Sequence, residues 1–187
     1  GLTQACELDG FVIRDGIGQC CGGGMLNEYC SPTIRNCIFR DNHANSGGAT
    51  SNYYCAPKFI NCTFENNTAA FGGAIYCFAE DSIEIIDCKF TNNHAGTGSG
   101  GGIENLGGIS KIINCTFVGN TSGFFGGAIR NSGDSPLISG CSFSDNSAGS
   151  RGGAISGVPY NNLIIDCQFY RNTAEWGGAI YSDYNNI

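Results

Sequence analysis

Ile60-Asn61-Cys62-Thr63-Phe64-Glu65-Asn66-Asn67-Thr68-Ala69-Ala70-Phe71-Gly72-Gly73-Ala74-Ile75 recurs in altered form along the chain, and this recurrence decides the architecture. Anchored on Cys62, the equivalent positions are Phe11, Cys37, Cys62, Cys88, Cys115, Cys141 and Cys167, at intervals of 25 to 27 residues. Two residues on stand Ile13 and then Phe39, Phe64, Phe90, Phe117, Phe143 and Phe169. Five residues on stand Gly16 and then Asn42, Asn67, Asn93, Asn120, Asn146 and Asn172. Each unit closes on two glycines, a small residue and a last residue at Met25, Thr50, Ile75, Ile103, Ile129, Ile155 or Ile180.

A unit of this length is too short for a propeller blade, and it carries no apolar face of helical period. It fits one coil of a parallel β-helix, and the chain is read as a single all-β solenoid domain over residues 1–187, with about seven coils. Identical positions of successive coils then stack roughly 4.8 Å apart, so the repeat becomes columns of Cys, Phe and Asn. The residue before each core position is Gly10, Asn36, Asn61, Asp87, Asn114, Gly140 or Asp166. These are the types that enter a left-handed backbone most easily, which predicts a corner. A bend there returns the residue three before the core position (Leu8, Ile34, Phe59, Ile85, Ile112, Ile138 or Ile164) to the interior. The stacked Asn amides are expected to link along the axis and satisfy turn carbonyls.

Composition narrows the function. The net charge of -7 and the pI near 4.6 leave no basic cluster for a nucleic acid. No apolar run is long enough to span a bilayer as a helix. No amphipathic or charged segment caps either end, so the column is expected to continue into further chain or to meet other copies head to tail.

Twelve cysteines fall into two groups. Cys37, Cys62, Cys88, Cys115, Cys141 and Cys167 share the inward position, where parallel spacing is longer than a relaxed disulfide accepts, and are expected to be thiols. Cys6, Cys20, Cys21, Cys30, Cys55 and Cys77 lie outside that column and are the disulfide candidates. Cys30 and Cys55 share a Tyr-Cys-x-Pro frame and are expected to stack. The rival pairing joins Cys6 to Cys30 and Cys55 to Cys77, leaving Cys20 and Cys21 adjacent; spacing does not choose between them. No zinc-type spacing occurs, and neither a metal nor another cofactor is expected.

The FxxN motifs alternate with GGAI at Gly72, Gly126, Gly152 and Gly177, GGAT at Gly47 and GGGI at Gly100. Over about residues 30 to 180 the chain resembles the repeats of chlamydial polymorphic membrane proteins. The resemblance implies a right-handed β-helix exported to the cell surface, commonly as an adhesin, and names no partner.

Candidate sites are few. Asp15 and Asp41 share one position in adjacent coils, which would set their carboxyls about 5 Å apart, near a retaining-glycosidase separation, or as a Ca²⁺ pair. With Arg14 and Arg40 before them, a solvated charge ladder on a turn is the preferred reading. His43 and His94 fall two coils apart, roughly 9.6 Å, too far to share a metal. Glu80, Asp81, Glu84 and Asp87 gather near the fourth coil around a strand. Phe71, Phe125 and Trp176 precede glycine pairs; outward they would form a contact surface, but core or local packing is the preferred reading. Tyr53, Tyr54, Tyr76, Tyr160, Tyr181 and Tyr184 crowd the segment after the glycine block, making that flank aromatic-rich. Asn61, Asn66, Asn114 and Asn120 head N-glycosylation sequons, with Asn120 expected to be inaccessible.

The expectation is an extracellular or cell-surface structural or adhesion module without catalysis, whose partners are a surface protein, a glycan or other copies of itself. A self-assembling filament subunit comes second. A carbohydrate-active β-helix enzyme comes third, on fold analogy alone.

Overall fold

The computed structural model describes residues 6–78, 83–133, 136–157 and 163–182, and these form a parallel β-helix without helices. One coil shows the plan, with strands Lys58–Ile60, Thr63–Glu65, Thr68–Ala69 and Ile75–Phe78. Each pairs in parallel with its counterpart in the coil before and the coil after. Four sheets result: three have seven strands and the third has six. The chain completes six turns between Glu7 and Leu163 and runs on through most of a seventh to Tyr181, so the seventh repeat is an unclosed coil.

Three columns of left-handed residues make the corners. Gly10, Asn36, Asn61, Asp87, Asn114, Gly140 and Asp166 all have φ between 50° and 76°. The first glycine of each pair (Gly22, Gly47, Gly72, Gly100, Gly126, Gly152 and Gly177) lies between 57° and 67°. At Gly72 an added Cβ would sit 2.4 Å from the Ile75 carbonyl oxygen, so both space and φ require glycine. A third corner column extends the turn read at Asp15 and Asp41 to the whole chain: Asp15, Asp41, Asn66, Asn92, Gly119, Asp145 and Arg171. Its signal was the Asp/Asn/Gly run four residues after the core position. Arg171 breaks that run, and its guanidinium is held by both Asp145 oxygens at 2.7 and 2.9 Å.

The core is columnar. Phe39, Phe64, Phe90, Phe117, Phe143 and Phe169 stack with ring centroids 4.6 to 5.1 Å apart and planes within 9° of parallel. Ile34, Phe59, Ile85, Ile112 and Ile138 are buried beside them, because the left-handed residue at each corner turns the chain between two inward side chains. The six repeat cysteines are free thiols; five are buried, and each donates to the carbonyl two residues back, as Cys62 does to Ile60 at 3.4 Å. Contact with Cys88 and then burial push the Cys62 thiol well above its ordinary range. Phe11, aligned with this column, is instead exposed, because its rung has a neighbour on one side only.

Asn67, Asn93, Asn120 and Asn146 each carry four side-chain hydrogen bonds, and Asn42 and Asn172 at the ends of the column carry three. The Asn93 Oδ1 accepts from the Asn67 backbone N–H at 3.0 Å and the Asn67 amide at 2.9 Å, while the Asn93 amide donates to Phe64 O and Asn120 Oδ1, both at 2.9 Å. The pattern repeats at Asn67, Asn120 and Asn146, so these amides close every lone pair and donor they own. A second buried column was missed at the sequence level. Asn27 donates to Asn52 at 2.9 Å and Asn105 to Asn131 at 2.6 Å, two residues after the glycine-block close. Cys77 interrupts this column between Asn52 and Asn105, and so it is an interior residue rather than a peripheral one.

Candidate functional site

No disulfide joins the described cysteines. Cys55 is buried and donates toward Asn27 O at 3.5 Å, whereas Cys30 and Cys6 are exposed. Cys20 and Cys21 have their sulfurs 2.7 Å apart, and the Cys21 sulfur lies 3.3 Å from the Tyr53 hydroxyl. The disulfide pairings expected from the Tyr-Cys-x-Pro frame are therefore absent from the described residues.

The acidic candidates are dispersed. Asp15 and Asp41 are exposed corner residues; Asp15 meets Arg14 at 2.8 Å, while Arg40 turns to Glu65 at 3.9 Å. Glu84 lies between Lys58 and Lys111, both at 2.7 Å, and hydrogen bonds from the two ammonium groups hold its carboxyl below the usual range. Asp87 accepts from the Asn114 amide at 3.2 Å, extending an exposed corner ladder. Glu80, Asp81, Tyr160 and Tyr184 lie outside the described residues. His43 and His94 flank Thr68 on neighbouring rungs, and the His94 Nδ1 shares a 2.7 Å hydrogen bond with the Thr121 hydroxyl. Among the described residues no group of three or more His, Cys, Asp or Glu is placed to hold a metal, and no helix is long and apolar enough to cross a membrane. Asn61, Asn66 and Asn114 are exposed, and Asn120 is buried in its ladder.

The strongest concentration of chemistry lies elsewhere. The residues before the glycine pairs form an outward column, bridged in parallel from Ser46 to Phe71 and from Phe125 through Arg151 to Trp176, with Ser99 in the rung between. Phe71 is 41% and Trp176 58% exposed, so both face outward, while Phe125 is half-buried and packs locally against Arg130 and Arg151. The physical reason is the left-handed glycine that follows. It redirects the chain so that Ala49, Ala74, Ala128 and Ala154, two residues after the first glycine, fill the interior at this corner.

Beside this column runs the outward row of the fourth sheet, with Ser51, Tyr76, Glu104, Arg130, Ser156 and Tyr181 in register. The two rows interlock. The Arg130 guanidinium lies 5.0 Å from the Phe125 ring, and its Nη1 lies 3.8 Å from Glu104 and 3.5 Å from the Ser99 hydroxyl. Arg151 lies over Phe125 at 5.6 Å and over Tyr181 at 4.9 Å. Glu104 is 3% exposed, and its Oε2 has no hydrogen-bond partner among the described residues. Burial raises the Glu104 pKa to about 7, against the opposing pull of Arg130. Sequence reasoning passed over Glu104 and Arg130 because each is a lone charge in a row otherwise filled by Leu, Ser and Tyr.

Glu104 has a measurable consequence. The unfolded chain releases its proton in the ordinary carboxyl range, and the folded chain holds it to about pH 7. The folded state therefore binds more protons across that window, and stability falls as pH rises from about 4.5 to about 7. The expected loss for this group is at most about 3 kcal/mol. Thermal unfolding of Glu104→Gln should lack this part of the slope and exceed the wild type at pH 8; parallel pH profiles would refute the assignment.

The family model described as right handed beta helix region matches residues 5–121. The Chlamydia polymorphic membrane protein repeat matches residues 140–158 and 166–183, the last two coils, and points to a cell-surface protein. Searches of curated proteins and of solved structures each returned no match. With four parallel sheets wound around columns of like residues, and a family match over more than half its length, the chain belongs to the right-handed β-helix family.

Proposed function

We propose that the chain is an extracellular, cell-surface contact module that does no chemistry and engages its partner through the strip of Phe71, Phe125, Arg130, Arg151, Trp176 and Tyr181. The observation that carries this reading is the exposure of Phe71, which has a rung on either side of it, on a backbone held rigid by interior ladders. Aromatic and Arg side chains fixed on a stiff scaffold lose little entropy when covered, which makes them effective anchors. The polymorphic membrane protein repeats support the surface assignment. The dispersal of Asp15, Asp41, Glu84 and Asp87, each on an exposed corner or ion-paired, weighs against hydrolysis or elimination.

Retention of the purified chain on immobilised cell surfaces tests this. Phe71→Ala combined with Trp176→Ala should lower retention about tenfold or more while leaving the melting temperature within a few degrees. Unchanged retention in that variant, or turnover of a glycan lost on Asp41→Asn, would count against it.

A further inference from the structure

We infer that Cys20 and Cys21 form a reversible modification site on the outside of the first coil, where a small-molecule disulfide such as glutathione disulfide closes the two adjacent thiols into a ring. The site goes beyond the contact-surface reading and does not depend on it.

Consecutive side chains of a strand ordinarily point to opposite faces, which keeps neighbouring thiols apart. A bulge cancels that alternation here. Gly18 pairs with Ala44 and Cys21 with Ser46, so three steps along the strand Ile17–Cys21 oppose two along His43–Ser46. Cys20 and Cys21 thereby reach the same side, with their sulfurs 2.7 Å apart. Glycine permits the bulge: a Cβ at Gly18 would sit 2.7 Å from the Cys21 carbonyl oxygen, and Gly22 beyond the pair is left-handed at 57°. The Tyr53 hydroxyl, 3.3 Å from the Cys21 sulfur, ties the pair to the second coil.

Five of the column thiols, and Cys55 and Cys77, are buried out of reach of a dissolved reagent, whereas Cys20 is exposed and Cys21 half-buried. One thiol of the pair loses its proton to water, attacks a sulfur of R–S–S–R and releases RS⁻, leaving a mixed disulfide. The other thiol gives its proton to that RS⁻ and attacks the protein sulfur of the mixed disulfide, expelling a second RS⁻ that takes up a proton from water. Two cysteine thiols are oxidised and one disulfide is reduced to two thiols. Adjacent residues hold their Cα atoms about 3.8 Å apart, short of the roughly 4.4–6.8 Å of relaxed disulfides, so the ring is strained and excess thiol reopens it.

The test equilibrates the full chain in glutathione and glutathione disulfide buffers, followed by acid quench, alkylation, trypsin and mass spectrometry. Trypsin releases Cys20 and Cys21 on the peptide from Asp15 to Arg35, whose one other cysteine is Cys30, so the Cys30→Ser variant isolates the pair. Its peptide should become lighter by two hydrogens, carry neither an alkyl group nor glutathione, and revert in excess glutathione. The closure constant in the native chain should exceed that in the urea-unfolded chain by about tenfold or more, because the fold already holds the sulfurs together. Deletion of Gln19 removes the extra residue of the bulge and should leave two cysteines that are modified separately.

Two alkyl groups on the peptide at every buffer ratio, a lasting glutathione adduct on Cys20 or Cys21, or a closure constant no greater than in urea would each overturn the inference. Equal closure in the folded deletion variant would do the same. If that variant does not fold, the comparison of native with urea-unfolded chain decides by itself.

Discussion

Phe117→Ala is expected to lower the unfolding free energy by about 3–5 kcal/mol, the range for removing a fully buried ring from a core that cannot collapse around the gap. The Phe117 ring lies between Phe90 at 4.6 Å and Phe143 at 4.9 Å, nearly parallel to both and closed to solvent. Its removal forfeits both stacking contacts as well as the buried area. The rungs above and below are fixed by backbone pairing of Phe117 with Phe90 and Phe143, so the cavity persists. Because each coil of a solenoid touches only its neighbours, the damage should stay local. Hydrogen exchange should accelerate most for amides of the fourth to sixth coils. Urea unfolding that shows a loss below about 1 kcal/mol would mean that the Phe column is not the main source of core stability.

The second large effect concerns polar groups. Asn93→Leu keeps the approximate volume but deletes two acceptor and two donor interactions at once. The Asn67 backbone N–H and amide then lose their acceptor, and the Asn120 Oδ1 and the Phe64 carbonyl each lose a donor, all in a site with no exposure. A buried polar group left without its partner costs about 1–3 kcal/mol, so the sum is expected to reach about 4 kcal/mol or to prevent folding. The matched comparison is Asn61→Gly at the exposed corner, where φ is 50° and glycine adopts the backbone freely. That change should cost less than about 1 kcal/mol, since the Asn61 amide loses one exposed hydrogen bond to Asn36. Similar melting temperatures for the two variants would show that the interior amide ladder contributes no more than the surface one.

Much of this architecture is legible from residue types alone. Cys62, Phe64 and Asn67 announce their columns because each position demands one property: a compact apolar group, a stackable ring, or an amide with balanced donors and acceptors. The corner at Asn61 is legible because few residues accept its backbone at low cost. The corner at Arg171 is not, since there an ion pair to Asp145 stands in for residue preference. The column of Asn27, Asn52, Asn105 and Asn131 escaped notice because Cys77 interrupts it. The shared frame of Cys30 and Cys55 sets their rung position and not their surroundings, for Cys55 is buried and Cys30 exposed.

The sequence by itself determined the period, the parallel stacking and which residues occupy each interior column. In-register coils translate a linear repeat directly into space, so a position needs only its counterpart one unit away to be interpreted. Only the tertiary structure decided that Phe71 and Trp176 face outward, and that Glu104 and Arg130 meet the column carrying Ser99, Phe125 and Arg151. Those contacts join two different positions of the repeat across a glycine-built bend. The direction a side chain takes there follows from the backbone angles of the turn and the shape of the cross-section, neither of which is written in the period.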